Sequence, residues 1–74
     1  MPKAKELLRF LRKLGYEETR QKGAHRILKH PDRPMLSVPV HSRDLPRGLF
    51  LRILKDAKSS EEEFLGGELK ERNS

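Results

Sequence analysis

Ala4, Leu7, Leu8, Leu11 and Leu14 recur at steps of three and four residues. That spacing gives residues 3 to 14 one way to bury their apolar side chains together, a helix with a single stripe. Gly15 follows directly and suits the left-handed residue at which helices stop. Arg12 and Lys13 sit where the negative end of the helix dipole falls. Phe10 lies off the stripe and is expected at the edge of the core. Lys5, Arg9, Arg12 and Lys13 make a basic outer face, which is read as solvated.

Beyond Gly15 the period changes from helical to alternating. Tyr16 to Lys22 alternates weakly, as a half-exposed edge strand does. Gly23-Ala24 reads as a turn and His25 to His30 as a second strand. Pro31-Asp32-Arg33-Pro34 breaks the pattern again with two prolines in four residues, as a hairpin connection would. Met35 to Val40 is the third strand, with Leu36, Val38 and Val40 on one face and Met35, Ser37 and Pro39 on the other. Pro39 cannot donate to a ladder, so it belongs at a sheet edge or a strand end.

A second helix is expected to open at Pro46, placed at the first helical position, and to bury Leu49, Phe50, Ile53, Leu54 and Ala57. Leu51 points away from that face. Ser59-Ser60-Glu61-Glu62-Glu63 offers two overlapping capping boxes, so a short third helix is expected around Phe64 and Leu65. Gly66-Gly67 would interrupt it, leaving Glu68 to Ser74 frayed. The sum is an α+β two-layer fold: helix, three-stranded antiparallel sheet, helix, and a short C-terminal helix.

Size and composition bound what such a fold can do. A chain of 74 residues forms one domain and buries only about 60% of its unfolded surface. Residues 1 to 57 hold 14 Lys/Arg against 6 Asp/Glu, and residues 58 to 74 hold 3 against 5. A basic body with an acidic tail favours a polyanionic partner for the body. With no cysteine there are no disulfides and no thiolate chemistry, which fits a reducing, cytoplasmic setting. No apolar run approaches the roughly 20 residues needed to span a bilayer. The N-terminal segment, which carries Glu6 and leads straight into the helical pattern, does not read as a signal peptide.

Chemistry concentrates at Arg20-Gln21-Lys22-Gly23-Ala24-His25-Arg26. Glycine allows a tight turn, histidine exchanges protons near neutral pH, and the cations attract phosphate. Lys22 and Arg26 would disfavour an imidazolium at His25, leaving it able to accept a proton from a ribose 2′-hydroxyl. Such a step requires RNA, since DNA lacks that hydroxyl; it takes no metal and no cofactor. Arg43 and Arg47 flank the start of the second helix, whose free N–H groups favour phosphate. His30 and His41 read as surface or turn histidines, with a supporting role left open for His41. His25 and His30 differ by an odd number, so on a regular strand they face opposite ways, which argues against one metal site holding both. Aromatic residues are too few to stack along a strand of RNA.

Arg20-Gln21-Lys22-Gly23-Ala24-His25, Ser37-Val38-Pro39 and Leu51-Arg52-Ile53-Leu54-Lys55 resemble the small HicA toxins of bacterial toxin–antitoxin pairs, a resemblance running from about Glu6 to Leu65. It implies a double-stranded-RNA-binding-domain-like fold over residues 1–58, with 59–74 a short helix and tail of the same domain. It also implies an mRNA interferase, a ribosome-independent endoribonuclease. Its catalytic histidine would be His25; on residue type and position, Arg20, Lys22, Gly23, Arg26, Arg43 and Arg47 are expected against the RNA. Ala24 stands where serine is common in that family. A HicB-type antitoxin covering the histidine-bearing surface is implied as a tight partner. Two alternatives stand beside this reading: an RNA-binding module that does not cut, and a degenerate toxin that retains only antitoxin binding.

Overall fold

A computed structural model describes residues 2–40 and 44–73, with side chains up to residue 67. Helix α1 spans Ala4–Lys13 and buries Ala4, Leu7, Leu8, Phe10 and Leu11. The Glu6 carboxylate accepts the Lys3 N–H at 3.1 Å, satisfying one of the donors a helix start leaves free. At the other end Tyr16 N–H donates to the Leu11 carbonyl and Gly15 N–H to that of Arg12, both at 3.0 Å. This is the paired-bond Schellman stop, and Gly15 supplies its left-handed φ of +104°.

Strands β1 (Glu17–Lys22), β2 (His25–Lys29) and β3 (Leu36–Pro39) form one antiparallel sheet in the order β1-β2-β3. Leu28, Leu36 and Val38 share one face and are buried with the helices. Pro39 closes β3 at the sheet edge, where its missing N–H does no harm. Helix α2 (Arg47–Asp56) buries Phe50, Ile53 and Leu54, with Pro46 as its N-cap rather than its first helical residue. Leu51 is 37% exposed, as its place on the outer side requires.

Helix α3 differs from expectation. It runs unbroken from Glu61 to Asn73, through Gly66-Gly67, although each glycine weakens a helix interior by about 1 kcal/mol. Ser60 caps it, its hydroxyl accepting the Glu63 N–H at 3.2 Å. Phe64 anchors it, packed edge-on between Phe10 and Phe50 with ring centroids 5.4 and 5.0 Å away. The Gly67 backbone lies against the Phe10 ring. Burial of an aromatic ring outweighs the local preference of the two glycines.

Three further contacts close the core. Leu45, fully buried, donates its N–H to the Pro2 carbonyl at 2.9 Å, so the segments entering α1 and α2 are pinned together. Tyr16, also buried, donates its hydroxyl to the Pro34 carbonyl at 2.8 Å. Arg33 reaches the Ala57 carbonyl at 2.9 Å, at the negative end of α2. The β2–β3 connection is thereby tied to both helical ends.

Helix α2 also stops in a Schellman motif: Ser59 N–H donates to the Leu54 carbonyl at 2.8 Å and Lys58 N–H to that of Lys55 at 2.9 Å. Here the left-handed residue is Lys58, with φ +60°, which strains a residue that has a Cβ. Lys58→Gly is therefore expected to raise stability by about 0.5 to 1 kcal/mol, read as a higher denaturant midpoint. Burial holds the Tyr16 phenol above its ordinary value, with Arg33 acting in the opposite sense. A raised folded value means stability is intact below about pH 10 and is lost as pH climbs through it. The stability gap between wild type and Tyr16→Phe should accordingly narrow above about pH 10 in urea unfolding.

Candidate nucleic-acid interface

The β1–β2 hairpin turns on Gly23-Ala24. Gly23 has φ +60° and Ala24 does not enter the left-handed region, as the first central residue of a two-residue type II′ loop requires. Gln21 steadies the turn by donating its side-chain N–H to the Gly23 carbonyl at 3.1 Å. On the far side, Val40 N–H donates to the Ala24 carbonyl at 2.8 Å. The hairpin tip is thus held from both edges of the sheet.

This turn fixes which side chains share a face. Lys22 lies directly opposite His25 on β1, and Pro39 opposite it on β3. Directly opposed residues project from the same side of an antiparallel pair. The next row is Arg20, Ile27 and Ser37. Thr19 is passed over by a bulge between Glu18 and Arg20; its hydroxyl donates to the Ile27 carbonyl at 3.3 Å. Without that bulge Glu18 would pair with Lys29 and fall on the same side as His25, instead of facing the helices opposite Leu28. Lys29, opposite Glu17, continues the face beyond Ile27. His25, Lys22, Arg20 and Lys29 are all exposed there.

Arg26 is not on this face. It follows His25 along the strand, so it projects to the helix side, where its Nη1 donates to Glu18 Oε1 at 3.3 Å. Arg12 reaches the other oxygen of the same carboxylate at 3.5 Å. Arg26, Arg12, Glu18, Lys5, Leu8 and Val40 border a shallow cleft of about 290 Å³ beside α1. Arg47 is likewise occupied, with a bidentate pair to Glu61 at 2.8 Å on each oxygen. That hydrogen bond holds the Glu61 carboxyl below its usual value and raises the Arg47 guanidinium. Arg43 and His41 lie outside the described residues.

His30 is a fastener. Its Nδ1 accepts the Asp32 N–H at 3.0 Å, so Nε2, 2.9 Å from the Leu14 carbonyl, is the atom that donates. The ring also packs on Tyr16, with centroids 4.9 Å apart. A Cβ on Gly15 would come within 3.0 Å of its Nε2, a second reason for glycine there. His25 and His30 face opposite ways, as the odd spacing requires.

The geometry defines a small basic domain that keeps its helices on one side of a sheet and leaves the other side, with its histidine and cations, open. The HicA toxin of bacterial toxin–antitoxin systems, as a family, matches residues 4–58, most of the chain. A comparison with curated proteins finds no match. The chain belongs to the HicA toxin family, and as a toxin of such a pair it has an antitoxin for a partner. No helix among the described residues is long and apolar enough to cross a membrane.

Period two could have placed Arg26 and Lys29 from the sequence: the alternation that separates His25 from His30 separates Arg26 from His25 and returns Lys29 to its side. Gly23 is held by backbone conformation rather than by space, since a Cβ there would meet nothing within 4 Å. Gly23→Ala should therefore lower stability by about 1 kcal/mol, visible as a reduced denaturant midpoint with the helical content unchanged.

Proposed function

We propose that this chain is an endoribonuclease toxin that cuts mRNA with His25 as general base. The observation that carries the reading is the pair His25 and Lys22, facing each other across the hairpin on the exposed side of the sheet. The imidazole takes the proton of a ribose 2′-hydroxyl, and the freed oxygen attacks the adjacent phosphorus. The 2′-O–P bond forms, the P–O5′ bond breaks, and the leaving 5′-oxygen takes up a proton. The products are a 2′,3′-cyclic phosphate and a 5′-hydroxyl. No water is consumed and the step itself calls for no metal.

Lys22, and Arg20 in the next row, stabilise negative charge on the phosphorane. Gly23 sets the hairpin that brings Lys22 across from His25. Arg26 serves the site indirectly, by tying β2 to Glu18 and through it to Arg12 on α1. For Arg47 to hold a phosphate it would have to leave Glu61, and Arg43 is assigned no more than the positive charge it carries near the start of α2. The partner is a HicB-type antitoxin that covers the open face and blocks RNA. The place of action is the cytoplasm, where its substrate is.

Purified wild type and His25→Ala, incubated with RNA in EDTA, test the reading. Wild type should cut and leave cyclic-phosphate ends, and the variant should be slower by about 10²- to 10⁴-fold. Equal cutting by both would remove His25 from the chemistry. Bound but intact RNA with both would make the protein a binding module.

A further inference from the structure

We infer that the open face of the sheet is a track for one unpaired RNA strand, in which Lys29 holds a different phosphate from the one beside His25. The inference rests on the reading of His25 above and extends it along β2. Lys29 is four residues from His25 on the same strand and the same side, about 13 Å at the rise of a β-strand. One phosphate cannot touch both. Arg20 and Lys22 line the β1 side of the same strip, and Glu17 is the one carboxylate among its described residues.

The cations of this face form no ion pairs among the described residues, whereas those gathered at Glu18 on the helical side do. Arg12 and Arg26 share the Glu18 carboxylate, and Arg47 is paired with Glu61. Arg20, Lys22 and Lys29 make no ion pair with any described residue. Their field is available to an incoming polyanion without first breaking a bond. Ile27 and Pro39, both half-buried between the cations, offer aliphatic surface on which bases can lie. With no aromatic ring on the face, affinity rests on phosphate contacts and should depend steeply on salt.

The attack also favours an unpaired strand. The 2′-oxygen must come into line with the P–O5′ bond, a geometry that a paired helix holds off and a free strand can reach. Paired RNA is moreover gripped through its shallow groove over many base pairs. The narrow three-stranded strip with its row of cations suits a single backbone instead.

The test uses the full chain with 2′-O-methyl oligouridine, which cannot undergo 2′ attack, and with its duplex on 2′-O-methyl oligoadenine. Affinities are measured against salt for wild type, Lys29→Gln and Lys5→Gln, the last removing an exposed cation of α1 on the helical side. The single strand should bind more tightly than the duplex. Lys29→Gln should weaken single-strand binding about fivefold at 0.1 M salt and lower the salt slope by about 0.7; Lys5→Gln should change neither. Tighter duplex binding, no binding of either RNA, or a loss with Lys5→Gln but not with Lys29→Gln overturns the track. Because the probe cannot be cut, the outcome is separate from the His25→Ala experiment. A Lys29 effect together with cutting by His25→Ala would keep the track and remove the catalytic assignment. Loss of cutting in His25→Ala with no Lys29 effect would do the reverse.

Discussion

Leu28 sits in the middle of the central strand with none of its surface exposed, and the rest of the molecule depends on that burial. A strand has only two sides, so inserting Leu28 among the leucines of α1 forces its neighbours Ile27 and Lys29 outward. His25, three positions back, must then face out with them. A register slip of one residue would carry every one of these side chains to the other side. The core thus does more than stabilise the chain: it aims the histidine. The same leucine turns Arg26 inward, where Glu18 neutralises it between β2 and α1.

The helical layer was legible in the sequence wherever burial follows a period. The stripe of α1, its stop at Gly15, the Leu36–Val38 side of β3 with Val40 just beyond it, and the inner side of α2 all stand where spacing puts them. Leu45 was not legible, because it lies in an aperiodic connection and its burial comes from a hydrogen bond to Pro2 far away in the chain. Tyr16 opens a stretch whose weak alternation predicts a half-exposed strand, yet it is buried, and its burial depends on the Pro34 carbonyl that receives its hydroxyl. The continuation of α3 is not legible in the sequence, because local propensity argues against two glycines and only the distant Phe10 and Phe50 argue for it.

For the candidate site, the turn at Gly23 and the prominence of His25 could be read from residue types, while the company His25 keeps could not be read from proximity in sequence. Lys22 belongs beside it and Arg26 does not, though both are near neighbours along the chain. Arg20 joins the face by plain alternation with Lys22, whereas Glu18 turns inward, opposite Leu28, only because the bulge at Thr19 shifts the alternation by one. A bulge leaves no mark in composition or charge.

The two strand edges and the position of Phe64 have consequences for how the chain behaves as an object. The bulge in β1 and the proline that ends β3 make each border a poor template for a foreign strand, so the flat side of the sheet is the more inviting surface. Phe64 lies beyond the matched residues 4–58, yet its ring is wedged between those of Phe10 and Phe50. The folding unit of this protein therefore extends past the segment that matches the family. Its last helix acts as a keystone: lifted out, it would leave two aromatic rings bare to water at the junction of α1 and α2.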